Sequence, residues 1–166
     1  MLYDIKIIGD PILRRKAEPI TVFDEQLKSF VKDMFEVMYK EDGIGLAAPQ
    51  IGRSVRLFVV DVSPLDENEQ KKVYINPEII NNWGESTLEE GCLSVPGVRE
   101  EVLRPERIEI KYQDESGKEY VEILNRWPSR VIQHEYDHLN GVLFVDRISP
   151  IKRKVLQIKG EIPLSF

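Results

Sequence analysis

The chain has two histidines, His134 and His138, and they lie four residues apart with Glu135 directly after the first. Four residues on a helix make just over one turn, so both imidazoles would project from one face and could bind one metal ion. Glu135, rotated by roughly 100° from His134, would reach a water molecule at that ion. The pattern predicts a metal-dependent hydrolase with Glu135 as its acid/base. An incidental histidine pair on a solvated helix face is the alternative.

A third metal ligand has to come from another residue type. Catalytic sites of this kind take three protein ligands and leave one position for water. The choice is between Cys92 and a downstream carboxylate such as Asp146. A lone cysteine among apolar residues is often only a small core residue. However, glycines and a proline in the segment Glu89–Gly97 predict an irregular, shaped backbone. We therefore favour Cys92 as the ligand over a structural role or a cysteine nucleophile.

Residues 43–52 superficially match the G-x-G-x-x-A pattern of dinucleotide-binding proteins. That fingerprint requires a strand before it and a helix starting within it. Here a helix is predicted before the segment, and Pro49 and Gly52 disfavour a helical continuation, so we reject nucleotide binding. Two interpretations remain: a structural loop packed tightly on the core, or a pocket wall from which Gln50 donates a hydrogen bond to a developing oxyanion.

Helices with clear sequence signals must position these segments. Asp24 can cap a helix whose apolar residues recur at three- and four-residue steps and which ends before Gly43. The histidines lie on a helix that Pro128 opens and that ends at Asn140-Gly141. Two short helical pieces are predicted, one after Asp10 and one from Ser149-Pro150 to near Gly160.

The remaining periodic segments predict strands. They cover residues 55–62, an extended stretch at 73–80 broken by Pro77, and a hairpin of 107–113 and 120–124. Regular strand–helix–strand alternation is missing, which indicates an α+β fold.

Composition sets the wider limits. With 166 residues and 42% hydrophobic content, the chain suits a single domain over residues 1–166. A net charge of −6 weighs against non-specific nucleic-acid binding. The N-terminus, from Met1 to Lys6, has no basic region followed by an apolar stretch, and no uncharged run approaches ~18 residues. These features predict a soluble cytoplasmic protein with no membrane partner.

Three segments, in this order along the chain, resemble the motifs of the peptide deformylase family. They are Gly43-Ile-Gly-Leu-Ala-Ala-Pro-Gln50, Glu90-Gly-Cys-Leu-Ser94 and Gln133-His-Glu-Tyr-Asp-His138. The resemblance extends from Gly9 to Ile148, nearly the whole chain. It implies an α+β fold with small antiparallel β-sheets around a central helix that carries the His-Glu-x-x-His motif. It also implies removal of the N-formyl group from the initiator methionine of newly made polypeptides.

The resemblance further implies a role for each matching residue. One divalent metal ion, most naturally Fe(II) with Ni, Co or Zn as alternatives, would be held by Cys92, His134 and His138. Glu135 would be the acid/base, and Glu90 would support a ligand. Gln50 and the backbone N–H of Leu93 would stabilise the oxyanion.

The resemblance places Ile44, Gly45, Trp127 and Val131 against the substrate. Trp127 lies where the chain departs from the family, which usually has a Gly-hydrophobic-x-Ala pattern before the third motif. Its indole would either reshape the rim of the methionine pocket or reflect a different helix start. The implied partner is an N-formyl-Met nascent peptide, with transient ribosome association and no specific nucleic-acid binding.

Two other classes of protein compete with this interpretation. A zinc peptidase also carries His-Glu-x-x-His, and it would cleave internal peptide bonds and use a downstream third ligand. A non-enzymatic protein with a structural metal would need a closed site of four ligands.

Overall fold

A computed structural model describes residues 3–166; Met1 and Leu2, which begin the N-terminal stretch considered above, lie outside the described residues. The helices are α1 (Glu25–Lys40), α2 (Arg126–Leu139) and α3 (Pro150–Ile158). The strands are β1 (Gly45–Ala47), β2 (Leu57–Val60), β3 (Lys72–Trp83), β4 (Ser86–Cys92), β5 (Val95–Arg104), β6 (Arg107–Gln113) and β7 (Glu119–Leu124). Single 3-10 turns occupy Pro11–Arg14, Ala48–Ile51 and Phe144–Asp146.

The strands form two antiparallel sheets. Five strands pair in the order β1-β2-β3-β6-β7, and β4 pairs with β5 alone. The α+β prediction is confirmed, as is the hairpin of β6 and β7. Strand β2 is buried on both faces, because Leu57 and Val59 pack with α1 and Phe58 and Val60 pack with α2. The two helices thus cover opposite faces of the larger sheet.

Local signals explain both ends of α1. The Asp24 carboxylate accepts the Leu27 N–H at 2.9 Å and caps the first turn. Phe30, Met34 and Met38 bury the predicted apolar face against the sheet. The helix ends at Lys40, before Gly43, as the sequence indicated.

The start of α2 was predicted at Pro128, which is wrong by two residues. Asn125 is the N-cap, and the helix begins at Arg126, whose φ of +55° is left-handed. Pro128 fits within the first turn because a backbone N–H there would have no intrahelical acceptor to lose. The helix is buried from Pro128 to Glu135, so it crosses the interior between the two sheets.

The prediction of irregular backbone at Glu89–Gly97 is wrong, because most of this segment belongs to the β4–β5 hairpin. The sequence hides this strand because Glu89 and Glu90 are both charged and show no alternation, although Glu89 is exposed and Glu90 is buried. Only the register break between Gly91 and Cys92 and the φ of +76° at Gly97 match the expected irregularity. Val98 and Val102 of β5 point into an apolar cluster with Phe144 and Leu156.

Two other segments refine the predicted pattern. Pro77 does not break β3; the strand runs through it with a register shift between Ile75 and Glu78. The glycine segment forms β1 and then a single 3-10 turn that ends at Gly52 with a φ of +87°. One turn is too short to serve as the helix of a dinucleotide site. Within residues 3–166, no helix is long and apolar enough to cross a membrane.

Candidate active site

A cavity of about 600 Å³ lies where β1, the β4–β5 hairpin and α2 meet. Glu90 lines it, as do nine of the ten residues predicted as metal ligands, catalytic groups or substrate contacts: Ile44, Gly45, Gln50, Cys92, Leu93, Trp127, Val131, His134 and Glu135. The tenth, His138, is 1% exposed and lies behind the cavity wall. Its Nε2 is 3.4 Å from the Cys92 Sγ, so it faces the same point as the cavity residues.

Three donor atoms converge at the inner end of the cavity. The ligand atoms of Cys92, His134 and His138 all lie within 4.8 Å of one another, the one such group within residues 3–166. Asp146, the alternative third ligand, lies outside this group and directs its carboxylate at Arg14 over 2.6 and 3.0 Å. A thiolate with two imidazoles is a donor set that suits zinc, iron and related divalent ions.

Glu90 orients one of the two histidines. Its Oε1 lies 3.0 Å from the Nδ1 of His134. Burial would raise the pKa of Glu90, but hydrogen bonds from Arg104 and His134 hold it well below its usual range. Because the ionised carboxylate can only accept, His134 donates its Nδ1–H, which leaves Nε2 for a metal ion.

The charges around the two imidazoles differ. Burial alone would lower the pKa of His134, yet the charges of Cys92 and Glu135 raise it well above the usual value. The same negative charges would attract a metal cation in place of that proton. Burial, followed by repulsion from His134, lowers the pKa of His138 well below its usual value and keeps this imidazole neutral. The residues therefore fit a divalent ion.

Glu135 presents a carboxylate that the protein leaves partly unbonded. The side chain is buried, and its Oε1 has no hydrogen-bond partner among the described residues. Burial raises the pKa of Glu135 to about 7, so the group can accept and release a proton near neutrality. Gly45 makes room for this carboxylate, since a Cβ there would lie 2.6 Å from its Oε2.

Gln50 is anchored through its carbonyl oxygen. That Oε1 accepts the Ala47 N–H at 2.9 Å, and Nε2 faces Ser94 Oγ at 3.2 Å and Cys92 Sγ at 3.5 Å. The amide donor is therefore held next to the thiol. Of the two interpretations of the glycine segment, this geometry favours the pocket wall.

Trp127 separates the cavity from a second one. This neighbouring cavity, of about 590 Å³, shares Leu65, Trp127 and Arg130 with the first. The indole is 37% exposed and lies between the two openings. Trp127 is thus part of a wall and not only a residue of the helix start.

The sequence analysis missed the charged residues that surround Glu90. Arg104 binds both carboxylate oxygens, at 2.6 and 2.9 Å, and Arg130 adds a third bond at 2.8 Å. Both arginines are almost fully buried. Arg104 lies in a charge-rich stretch typical of a solvated strand, so the sequence offered no signal. Arg104 also donates a hydrogen bond to the carboxylate of Asp137 at 2.9 Å. The sequence motifs did not single out Asp137, although its position directly before His138 was an available signal.

Comparison with known proteins places this geometry in a family. The polypeptide deformylase profile matches residues 2–154. The chain is similar to the peptide deformylases of Thermotoga maritima (49% identity, 95% of this chain and 94% of the relative) and Acidobacterium capsulatum (50%, 94% and 92%).

Solved structures give the same result. A peptide deformylase from Legionella pneumophila superposes with a TM-score of 0.88 at 43% identity, covering 96% of this chain and 93% of the other. The Synechococcus elongatus peptide deformylase in complex with actinonin has a TM-score of 0.91 at 40% identity, covering 98% and 89%. The resemblance inferred from the three motifs is thereby confirmed: the chain belongs to the polypeptide deformylase family.

Proposed function

We propose that this chain, acting as one catalytic domain over residues 1–166, hydrolyses the N-formyl group from the initiator methionine of newly made polypeptides and releases formate. The observation that carries the proposal is the convergence of Cys92, His134 and His138 beside Glu135, whose Oε1 has no hydrogen-bond partner within residues 3–166, in a chain of this family. The proposal includes a cytoplasmic location, where nascent chains emerge, and transient contact with the ribosome.

Cys92, His134 and His138 would hold one divalent metal ion, natively Fe(II), with Ni, Co or Zn as functional substitutes. When bound there, the ion supplies a Lewis acid that polarises the formyl carbonyl and acidifies water. The protein supports this arrangement through Glu90, which fixes the tautomer and ring orientation of His134.

Glu135 would act first as base and then as acid. Its free Oε1 accepts the proton of the attacking water, and the same carboxyl group then protonates the amine that leaves the formyl carbon. A group whose pKa lies near 7 can perform both transfers at neutral pH. Glu135 is only 4% exposed, which limits its contact with bulk water.

The negative charge that develops on the formyl oxygen would be stabilised by Gln50 and Leu93. The Gln50 amide is anchored by Ala47, so its Nε2 donor is held in place before the reaction begins. The backbone N–H of Leu93 would be the second donor. Loss of one such donor typically lowers the rate by 10²–10³-fold, about 3–4 kcal/mol.

The substrate would lie along β1 and direct its methionine side chain into the apolar part of the cavity. Gly45 would lie next to the backbone of the substrate peptide. Ile44, Val131 and Trp127 would contact the methionine side chain. Unbranched methionine suits such a wall, because it adapts to an irregular apolar surface.

Anaerobic purification followed by metal analysis and activity assays on the same sample tests the proposal. We expect one equivalent of metal and formate release from a formyl-Met peptide. An unformylated peptide of the same sequence should remain intact. Cleavage of internal peptide bonds without formate release would instead identify a peptidase, and a fully metallated protein inactive on both peptides would refute catalysis. Equal stability of iron- and nickel-loaded enzyme in air would argue against native Fe(II).

A further inference from the structure

A chain of buried ion pairs connects the candidate metal site to the protein surface. It consists of Glu90, Arg104, Asp137 and Arg147, and we call it the ion-pair chain. Glu90, Arg104 and Asp137 are each less than 7% exposed, whereas the Arg147 side chain is 44% exposed. None of the roles assigned above uses Asp137 or Arg147.

Arg104 links the two carboxylates of this chain. Its Nε and Nη2 bind Glu90 at 2.6 and 2.9 Å, and its Nη1 donates to the Oδ2 of Asp137 at 2.9 Å. One guanidinium from β5 is therefore shared between the carboxylate that orients His134 and the carboxylate that precedes His138. Because the guanidinium group is planar and rigid, it fixes the positions of the Glu90 and Asp137 carboxylates relative to each other.

Arg147 completes the hydrogen bonding of Asp137. Its Nε donates to Oδ2 at 2.6 Å and its Nη2 to Oδ1 at 2.8 Å. Within residues 3–166, Oδ1 has no other side-chain hydrogen-bond donor. Arg147 follows the 3-10 turn Phe144–Asp146 and does not line the cavity.

We propose that Arg147 is a positioning residue for the metal ligands, acting through Asp137 and Arg104 on Glu90 and His134. Without Arg147, Arg104 would be the one remaining side-chain donor to the buried carboxylate of Asp137 among the described residues. Arg104 would then shift toward Asp137 and weaken its two hydrogen bonds with Glu90. Glu90 would then hold the Nδ1–H of His134 less firmly, and the ring would lose its fixed orientation. This inference rests on the proposed metal site.

The positive charge of Arg147 and its hydrogen-bond geometry have opposite effects on metal affinity. A cation near the site disfavours metal binding, so removal of the charge alone would tighten it. Arg147→Met removes both charge and geometry, whereas Arg147→Lys keeps the charge but cannot bind both oxygens of Asp137. The two variants together therefore separate positioning from electrostatics.

The test measures Co²⁺ affinity of the full-length, metal-stripped protein by the visible absorption of the Co²⁺–thiolate site, with a competing chelator. Arg147→Lys and Arg147→Met are compared with Arg153→Met, which changes a partly exposed arginine that lies 4.0 Å from Asp146 and outside the ion-pair chain. Thermal unfolding of the metal-free variants is recorded in parallel.

We expect both Arg147 variants to bind Co²⁺ about 3- to 10-fold more weakly, less than the 10- to 100-fold typical of groups that touch a ligand directly. Arg153→Met should bind like the unsubstituted protein. Tighter binding by Arg147→Met with unchanged Arg147→Lys would show an effect of charge alone. Lower thermal stability with unchanged affinity would show a structural role. Either result overturns the positioning role. Failure of the unsubstituted protein to bind Co²⁺ would instead refute the metal site.

Discussion

At the scale of single residues, the surroundings of two buried carboxylates, Glu135 and Glu90, give them opposite pKa shifts. Burial raises the pKa of Glu135 to about 7, and its Oε1 has no hydrogen-bond donor within residues 3–166 to stabilise the ionised form. Glu90 is also buried, which would raise its pKa, yet hydrogen bonds from Arg104 and His134 lower it. The same side-chain chemistry thus yields a carboxyl group that can gain or lose a proton near neutrality at one position and an ionised carboxylate at the other.

Glu135→Gln should retain the metal and lose roughly 100- to 10,000-fold in kcat, the range that positioned proton transfer contributes. The amide has the same shape but cannot accept the proton of water. Metal content and formate release measured on one sample check this outcome. Glu101→Gln provides a matched control, because Glu101 is exposed and does not line the cavity. Full activity of Glu135→Gln would contradict the proton-transfer role.

Gly45→Ala should lower kcat by crowding Glu135. The new Cβ would lie 2.6 Å from the Glu135 Oε2 and 3.0 Å from the Val131 Cγ1, so the carboxylate has to move. A shift of about 1 Å can cost on the order of 100-fold in rate. Gly43→Ala should lower kcat less, because the nearest atom to its new Cβ is a Leu93 methyl carbon at 3.2 Å.

A double variant tests whether the effect passes through Glu135. In the Glu135→Gln background, Gly45→Ala should add little further loss, because the affected group is already inactive. An undiminished additional loss would assign Gly45 to the substrate alone.

At the scale of elements, α2 and the β4–β5 hairpin carry most of the site. The helix positions both histidines and Glu135 from the interior, and the hairpin brings Glu90 and Cys92 against them. A register break at Cys92 ends the regular pairing where the thiol turns toward His138. Because both elements are anchored by apolar clusters, the candidate metal ligands are held by a rigid frame.

The first residue of α2 offers a test of backbone strain. Arg126 has a φ of +55°, a conformation that costs residues other than glycine about 1–2 kcal/mol. Arg126→Gly should therefore raise the free energy of unfolding, by about 0.5–1 kcal/mol after the greater entropy of unfolded glycine is subtracted. Urea unfolding measures the change. The control is Lys154→Gly inside α3, which should lower the free energy of unfolding by about 1 kcal/mol. An equal decrease in the free energy of unfolding of both variants would refute backbone strain at Arg126.

At the scale of the whole molecule, distant parts of the chain are joined by charge as well as by apolar contact. Arg14 binds the carboxylate of Asp146 through two bonds, at 2.6 and 3.0 Å, across 132 positions of sequence. Burial would raise the pKa of Asp146, but Arg14 and the Leu143 N–H lower it below the ordinary value of 3.8. This pair ties the N-terminal turn to the segment that follows α2.

The lowered pKa fixes how Asp146 contributes to stability with pH. The contribution is fully present above the unfolded value near 3.8 and is lost as pH falls through the folded value. Asp146→Asn should reduce the free energy of unfolding by about 1–3 kcal/mol at pH 7. That deficit should shrink below about pH 4.

Urea unfolding of Asp146→Asn and the unsubstituted protein at pH 7, 5 and 3.5 checks this dependence. Glu25→Gln is the control, because Glu25 is 90% exposed beside Lys28 and such pairs contribute little. A deficit of Asp146→Asn that stays constant to pH 3.5 would contradict the assigned ion pair.

The sequence by itself determined the features that depend on neighbouring residues. The four-residue spacing of His134 and His138, the Asp24 cap and the β6–β7 turn are local patterns, and each led to the element observed. The α+β class and the family also followed from such patterns. Local backbone geometry favours these elements, so they could be predicted without knowing which residues pack against them.

Only the tertiary structure decided which distant residues share an environment. It placed Cys92 within reach of the histidines and left the Oε1 of Glu135 without a hydrogen-bond partner among residues 3–166. It also buried Arg104 beside Glu90, although the surrounding sequence is typical of an exposed strand. Burial and charge pairing depend on contacts across the chain, and these set pKa values and ligand geometry. The histidine pair therefore indicated a metal hydrolase, whereas the folded interior determines how its ligands are held.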